Sequence, residues 1–232
     1  MTDLVRVSLV PADLPAGAAA GLAGLLDASE RSRAAALLSA EDRQLFTVAH
    51  GVLRILAARE LNVRPAALSW VAGRYGKPEL VPPWSGLHTS LSHSGGLIAA
   101  AVSTARPVGV DIQHLEPSVD TAGLSARFFP PDEAGYVAAG GDACGRADRL
   151  ARLWVRKEAV VKAAGSRLWP NLKVPVRDRD VVSCAEPASA YRVAEVSAPA
   201  GYRAAVALAG AAPFVLAAAG WPSGEVTSAM VS

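Results

Sequence analysis

The sequence predicts an α+β fold in which two similar α+β subdomains pack face to face. Long helix-period segments stand at comparable places in the two halves, at 41–61 and 147–164. Each is followed by short strands and an Ala/Val-rich hairpin, with Pro, Gly or Asp turns between the runs. The first subdomain is expected over 1–104, the second, carrying the candidate chemistry, over 105–221, and a disordered tail over 222–232. Identity between the halves is too weak to establish a duplication.

Composition narrows the function classes. A chain of 232 residues, 51% of them hydrophobic, buries a substantial core. Its net charge of +2 is evenly spread, with ten Lys/Arg against ten Asp/Glu through Glu116 and thirteen against eleven beyond it. That balance argues against a nucleic-acid partner. Cys144 and Cys184 lie far apart without metal-ligand spacing, so two reduced thiols and a cytoplasmic protein are expected. The amino terminus, with Asp3, lacks the order of a signal peptide, and no apolar run approaches the ~20 residues that cross a bilayer.

In chain order, 5–10 alternates as an opening strand closed by Pro11 and Pro15. Helical stretches follow over 18–26 and 34–38, the second entered through Glu30-Arg31-Ser32-Arg33. Ser39 and Asp42 then mark the start of the long helix 41–61, whose apolar side is Leu45, Val48, Val52, Ile55 and Leu56. Arg43 and Arg54 stand eleven residues apart, about three turns, so they share a face, either solvated or turned to one ligand. Strand 69–72 leads into a glycine-bounded turn, 73–78, that presents Lys77 either to solvent or to a phosphate. Strand 87–94 ends in Ser92-His93-Ser94-Gly95-Gly96, where the glycines admit a ligand to the backbone and Ser92 and His93 offer donors. Strands 97–103 and 108–112 read as an antiparallel hairpin turned at 104–107. The period of two sends Val108, Val110 and Ile112 to the core and Gly109, Asp111 and Gln113 the other way. Asp111 is then either a strand-end cap or a hard oxygen ligand for Mg²⁺ beside an amide oxygen. Residues 117–122 read as a linker, 131–137 as a helix begun by Pro130 and Pro131, and 140–145 as a loop. After the helix 147–164, Leu172, Val174, 181–184, 191–196, 203–208 and 214–219 read as short strands.

The second long helix is almost wholly apolar yet carries charges in its middle. Trp154, Glu158 and Lys162 fall on one stripe at i, i+4 and i+8, with Lys157 on its flank and Gly165 as a stop. Either Glu158 and Lys162 pair at the surface, or they meet a metal or an anionic ligand. The chain has nineteen arginines and four lysines, and Lys77, Lys157 and Lys162 all stand in such motifs. That usage suits a compact ammonium on a phosphate. Histidine zinc ligation is not expected, because neither a CxxC nor an HxxxH spacing occurs.

With Gly109-Val110-Asp111-Ile112 and Trp154-Val155-Arg156-Lys157-Glu158-Ala159-Val160-Val161-Lys162 in hand, the chain resembles the 4′-phosphopantetheinyl transferases, in the larger single-chain group that activates polyketide, peptide or fatty acid synthases. The resemblance covers roughly 30–208, with weaker support from Gly76-Lys77-Pro78, Ser92-His93-Ser94-Gly95 and Arg127-Phe128-Phe129. It implies a monomeric pseudodimer with coenzyme A and Mg²⁺ in the cleft between halves. The serine of an acyl or peptidyl carrier protein would attack the pantetheine-side phosphorus, and adenosine 3′,5′-bisphosphate would leave. By the same resemblance Asp111 and Glu158 hold the metal, Glu158 or a water takes the serine proton, and Lys162 offsets charge. Arg33, Arg43, Lys77, Pro78, Ser92 and His93 match positions that grip coenzyme A, and Lys157 either joins them or ties the two halves together. Gln113 stands where larger members often carry a third acid, which leaves it a weaker, neutral ligand. A Mg²⁺-dependent nuclease and a noncatalytic carrier-binding module are the rival readings. The missing basic surface and spacing disfavour the first, and the retained Lys77, Glu158 and Lys162 the second.

Overall fold

The computed structural model describes residues 2–73, 76–184 and 189–220, except for the side chain of Pro170. Arg74 and Tyr75 of the expected lysine turn, and the expected tail 222–232, lie outside the described residues. In chain order the first half holds β1 (Asp3–Pro11), α1 (Ala16–Leu25), α2 (Ala28–Ala36), α3 (Ala40–Leu61), a 3₁₀ turn (Pro65–Ala67), β2 (Trp70–Ala72), β3 (Pro78–Leu80), β4 (His88–Ser94) and β5 (Leu97–Ser103). The second holds β6 (Val108–His114), α4 (Thr121–Phe128), α5 (Pro131–Ala138), α6 (Ala143–Ala164), α7 (Leu168–Asn171), β7 (Val181–Cys184), β8 (Ser189–Val196), β9 (Tyr202–Ala209) and β10 (Phe214–Gly220).

The helix ends follow their capping chemistry. Asp27 and Glu30 form a reciprocal capping box that starts α2 ahead of the expected residue 34. The Ser39 hydroxyl accepts the Asp42 N–H at the head of α3, and Asn62 closes that helix in the left-handed region. Asp142 accepts from Gly145 N–H, which begins α6 within the stretch expected to be a loop, and left-handed Gly165 ends it. Asp120 likewise caps α4, so the expected linker 117–122 runs into a helix.

Two four-stranded sheets carry the fold, in the orders β10-β1-β5-β4 and β6-β9-β8-β7, beside a small β2-β3 pair. β1 pairs antiparallel with β5 and β6 with β9, and β5 and β9 each pair antiparallel with the strand before them, β4 and β8. The chain is therefore a mixed α+β protein. The final strand β10, within the expected second subdomain, lies parallel to β1 in the first sheet.

Three apolar layers stack the parts. Val48, Val52 and Ile55 of α3 pack on Ile98, Ala100 and Val102 of β5. Val5 and Val7 of β1 and Ala99 and Ala101 of β5 meet Val108, Val110 and Ile112 of β6 and Val206 of β9, which joins the sheets face to face. Val155, Ala159 and Ala163 of α6 pack on Ala205 and Ala207 of β9.

Two expected strand assignments are corrected. β5 and β6 form no hairpin, because β5 is fully buried with both edges taken by β1 and β4, and the turn after it delivers β6 to the other sheet. Leu172 and Val174 belong to no strand. The Val174 carbonyl accepts from the Lys157 ammonium and the Val176 N–H donates to Glu133 Oε1, so side chains occupy groups that a ladder would need.

Candidate functional site

The site begins with a glycine. A Cβ at Gly109 would overlap Ala159 O and Ala163 N of α6, so only a residue without a side chain lets the helix backbone rest on β6. That approach sets the charged stripe of α6 directly over the next outward residue of the strand, Asp111.

Asp111 is 4% exposed. Its Oδ1 accepts from the Ser92 hydroxyl at 2.6 Å and from the Lys162 ammonium at 2.7 Å, and Lys162 also donates to Ser92 Oγ at 2.9 Å. One residue each from β4, β6 and α6 thus closes a hydrogen-bonded triangle across the two sheets. Oδ2 of Asp111 is buried without a hydrogen-bond partner among the described residues. Burial pushes the Asp111 carboxyl above its ordinary range, while the Lys162 ammonium, the Ser92 hydroxyl and the Ile112 N–H hold part of the rise back.

Glu158, one turn before Lys162, is half-buried and lies close enough to Asp111 for the two charges to interact. Its carboxyl is raised first by burial and then by the Asp111 charge, with Lys162 opposing. Gln113 follows Asp111 on the α6 side and lines an apolar cleft of about 230 Å³ with Leu124, Leu150 and Trp154. His93, exposed at the surface, is held below the usual imidazole range by partial burial and the Lys162 charge, against Asp111 and Asp42.

The other expected residues lie apart from this triangle. Lys77 donates to Val108 O at 3.0 Å and Lys162 O at 2.7 Å, tying the loop before β3 to β6 and to the last turn of α6. Burial lowers its pKa to about 8, with Glu79 opposing. Lys77 and Pro78 line a separate cleft of about 330 Å³ with His88 and the end of α6. Arg43 is exposed and donates to the Leu37 and Leu38 carbonyls, while Arg33 lies over the Phe46 ring. Arg54 does not share the exposure of Arg43. It is 1% exposed and paired with Glu30 and Asp27 at 2.6 Å each, because the interior of α3 has turned under α2.

Lys157 corrects an expectation. Its ammonium and the Glu133 carboxylate are both 0% exposed and 2.6 Å apart, inside the second half. It neither ties the halves together nor offers an open face to a soluble ligand. Sequence reasoning passed over Glu133, although an acid following two prolines in an apolar neighbourhood was a usable signal. It also passed over Ser90 and gave Ser94 no partner beyond its motif, although their hydroxyls accept the Val110 and His114 N–H groups from a strand 20 residues further along.

A cation fits part of this arrangement. Among the described residues Asp111 Oδ2 has no partner, and the Glu158 carboxyl stands nearby, its ionisation made costlier by burial and by the Asp111 charge. Among the described residues no three His, Cys, Asp or Glu side chains cluster tightly enough to hold a metal by themselves. Asp111 and Glu158 could offer such a cation two carboxylates, and further oxygen ligands would have to come from a substrate and water. Among the described residues no helix is long and apolar enough to cross a membrane.

Comparison with known proteins is consistent in kind. A family model described as 4′-phosphopantetheinyl transferase superfamily matches residues 107–207. The 4′-phosphopantetheinyl transferase HetI of Nostoc sp. is 34% identical over 167 residues, which are 71% of this chain and 70% of that protein. A putative 4′-phosphopantetheinyl transferase of Synechocystis sp. is 32% identical over 76% of this chain and 71% of its own length. A 4′-phosphopantetheinyl transferase of Bacillus subtilis is 30% identical over 67% of each chain.

Proposed function

The chain belongs to the 4′-phosphopantetheinyl transferase superfamily, and from that premise we propose that it moves the 4′-phosphopantetheine group from coenzyme A to a serine of acyl or peptidyl carrier proteins at the Asp111, Glu158 and Lys162 cluster. It is an enzyme of that class. The observation that supports the placement is the triangle of Ser92, Asp111 and Lys162 at the junction of the two sheets, with one carboxylate oxygen of Asp111 unpaired among the described residues.

In this reading Asp111 and Glu158 would hold Mg²⁺, with Gln113 as a neutral third contact. The ion when bound supplies positive charge to phosphate oxygens. Lys162 reaches the same place as a mobile ammonium, suited to charge that builds on the bridging oxygen of the leaving group. Glu158 is the general base, directly or through one water, because its carboxylate stands beside Asp111 and Lys162 where the serine would be activated. The serine oxygen bonds to the pantetheine-side phosphorus, its proton passes to Glu158, and the bond to the departing adenosine 3′,5′-bisphosphate breaks. The apolar cleft beside Gln113 and Trp154 suits the uncharged pantetheine arm. Lys77 and Pro78, Arg33 and Arg43 would form the outer boundary for the nucleotide. Coenzyme A is the donor in this family, and one chain supplies both walls of the site, which favours a monomer. The reduced-thiol reading and the carrier substrates favour the cytoplasm.

The test is the intact mass of purified apo carrier proteins after incubation with the chain, coenzyme A and Mg²⁺. A gain of one phosphopantetheine on at least one carrier is expected. Unmodified carriers bound by the chain would favour a noncatalytic module, and cleavage of plain DNA would favour a nuclease.

A further inference from the structure

We propose that Ser90 and Ser94 are positioning residues for the Asp111 carboxylate, an inference that rests on the function proposed above. β4 and β6 lie side by side but belong to different sheets. The junction is made by side chains. The Val110 N–H donates to Ser90 Oγ at 3.0 Å and the His114 N–H donates to Ser94 Oγ at 2.9 Å. Both bonds join residues 20 apart in sequence, so the two strands hold one register. Ser92 stands midway on the same face of β4 and donates to Asp111 Oδ1. Three serines at a period of two thus divide the work, the outer two gripping the strand backbone on either side of Asp111 and the middle one aiming its carboxylate.

The seam is directional. An edge strand's buried N–H groups need acceptors, and a hydroxyl accepts while a methyl does not. Without one outer hydroxyl, β6 keeps its apolar contacts with the facing sheet but loses the bond that fixes its position along β4. Asp111 then drifts from Lys162, and reactions that depend on placement respond strongly to small displacements.

The test compares Ser94→Ala with Ser94→Thr, which keeps the hydroxyl at a half-buried position, and with Ser103→Ala. Ser103 is also buried in the first sheet, but its hydroxyl accepts from Ala105 N–H in the turn after β5. Turnover on an apo carrier protein, coenzyme A affinity, the Mg²⁺ concentration at half-maximal rate and the melting temperature are measured for each, with Ser90→Ala as a second break in the seam. Ser94→Ala and Ser90→Ala are expected to lose about tenfold in turnover and need severalfold more Mg²⁺, with coenzyme A affinity within about twofold of wild type. Ser94→Thr is expected to restore turnover, and Ser103→Ala to lower the melting temperature without lowering turnover. Wild-type turnover in both seam variants, or an equal loss in Ser103→Ala, would overturn the proposal. A wild-type chain that transfers nothing would instead overturn the functional reading beneath it, and is seen before any variant is compared.

Discussion

Glu158 shows how a single residue takes its chemistry from its surroundings. Burial and the Asp111 charge both disfavour its ionised form, and burial does the same to Asp111. A carboxyl whose folded pKa stands above its unfolded value contributes stability fully below the ordinary carboxylate pKa and loses it as pH rises through the raised value. The metal-free protein therefore carries a destabilising pair at neutral pH, and a bound divalent cation would offset it. Mg²⁺ is expected to raise the melting temperature more at about pH 8 than at about pH 5.5, where the pair is closer to protonated. Melting curves with and without Mg²⁺ check this, and Glu158→Gln should remove most of the difference. Equal Mg²⁺ effects at both pH values would mean that the ion binds elsewhere. Gln113 is a second single-residue case. If it faces the ion, Gln113→Glu adds an anionic oxygen and lowers the Mg²⁺ needed for half-maximal activity. An unchanged or higher requirement in a Mg²⁺ titration would show that residue 113 faces the apolar cleft alone.

At the scale of elements, α6 is held from both sides. Gly109 lets it rest on β6, and Lys157, adjacent to Glu158, anchors its far face to Glu133, which also accepts from Val176 and Arg177 N–H. Removing one charge from a buried pair costs about 3–5 kcal/mol, because the partner is left uncompensated. Glu133→Gln keeps the shape and the backbone acceptor, so a calorimetric melting temperature lower by roughly 10 °C is expected. A change within a degree or two would show that the Lys157 ammonium is satisfied by Val174 O and the Phe129 ring without Glu133. This pair also marks a limit of reading along the chain. The helix and its charged stripe were visible in the spacing of Trp154, Glu158 and Lys162, whereas the burial of Lys157 depends on an acid 24 residues earlier. Likewise, Val174 looks like a strand residue locally, and only tertiary contacts assign its carbonyl to Lys157 and the following Val176 and Arg177 N–H groups to Glu133.

For the whole molecule, the α+β class and both long helices followed from periodicity and caps, since those signals are local. Strand partnership did not follow. The turn at 104–107 resembles a hairpin, yet β5 finds β1 some 90 residues earlier and β6 finds β9 some 90 later, pairings that no turn can announce. The site inherits that topology. Ser92 comes from one sheet, Asp111 from the other and Lys162 from a helix, so residues far apart in sequence meet where the two sheets join. The central claim is that this junction performs the transfer, with Glu158 acting on the chemical step and not in holding coenzyme A. Single-turnover formation of modified carrier protein, followed by intact mass in wild type and Glu158→Gln with coenzyme A affinity measured on the same samples, tests it most directly. The expected result is a rate lower by about 10²–10⁴ with affinity nearly unchanged. A variant that transfers at the wild-type rate would contradict the account.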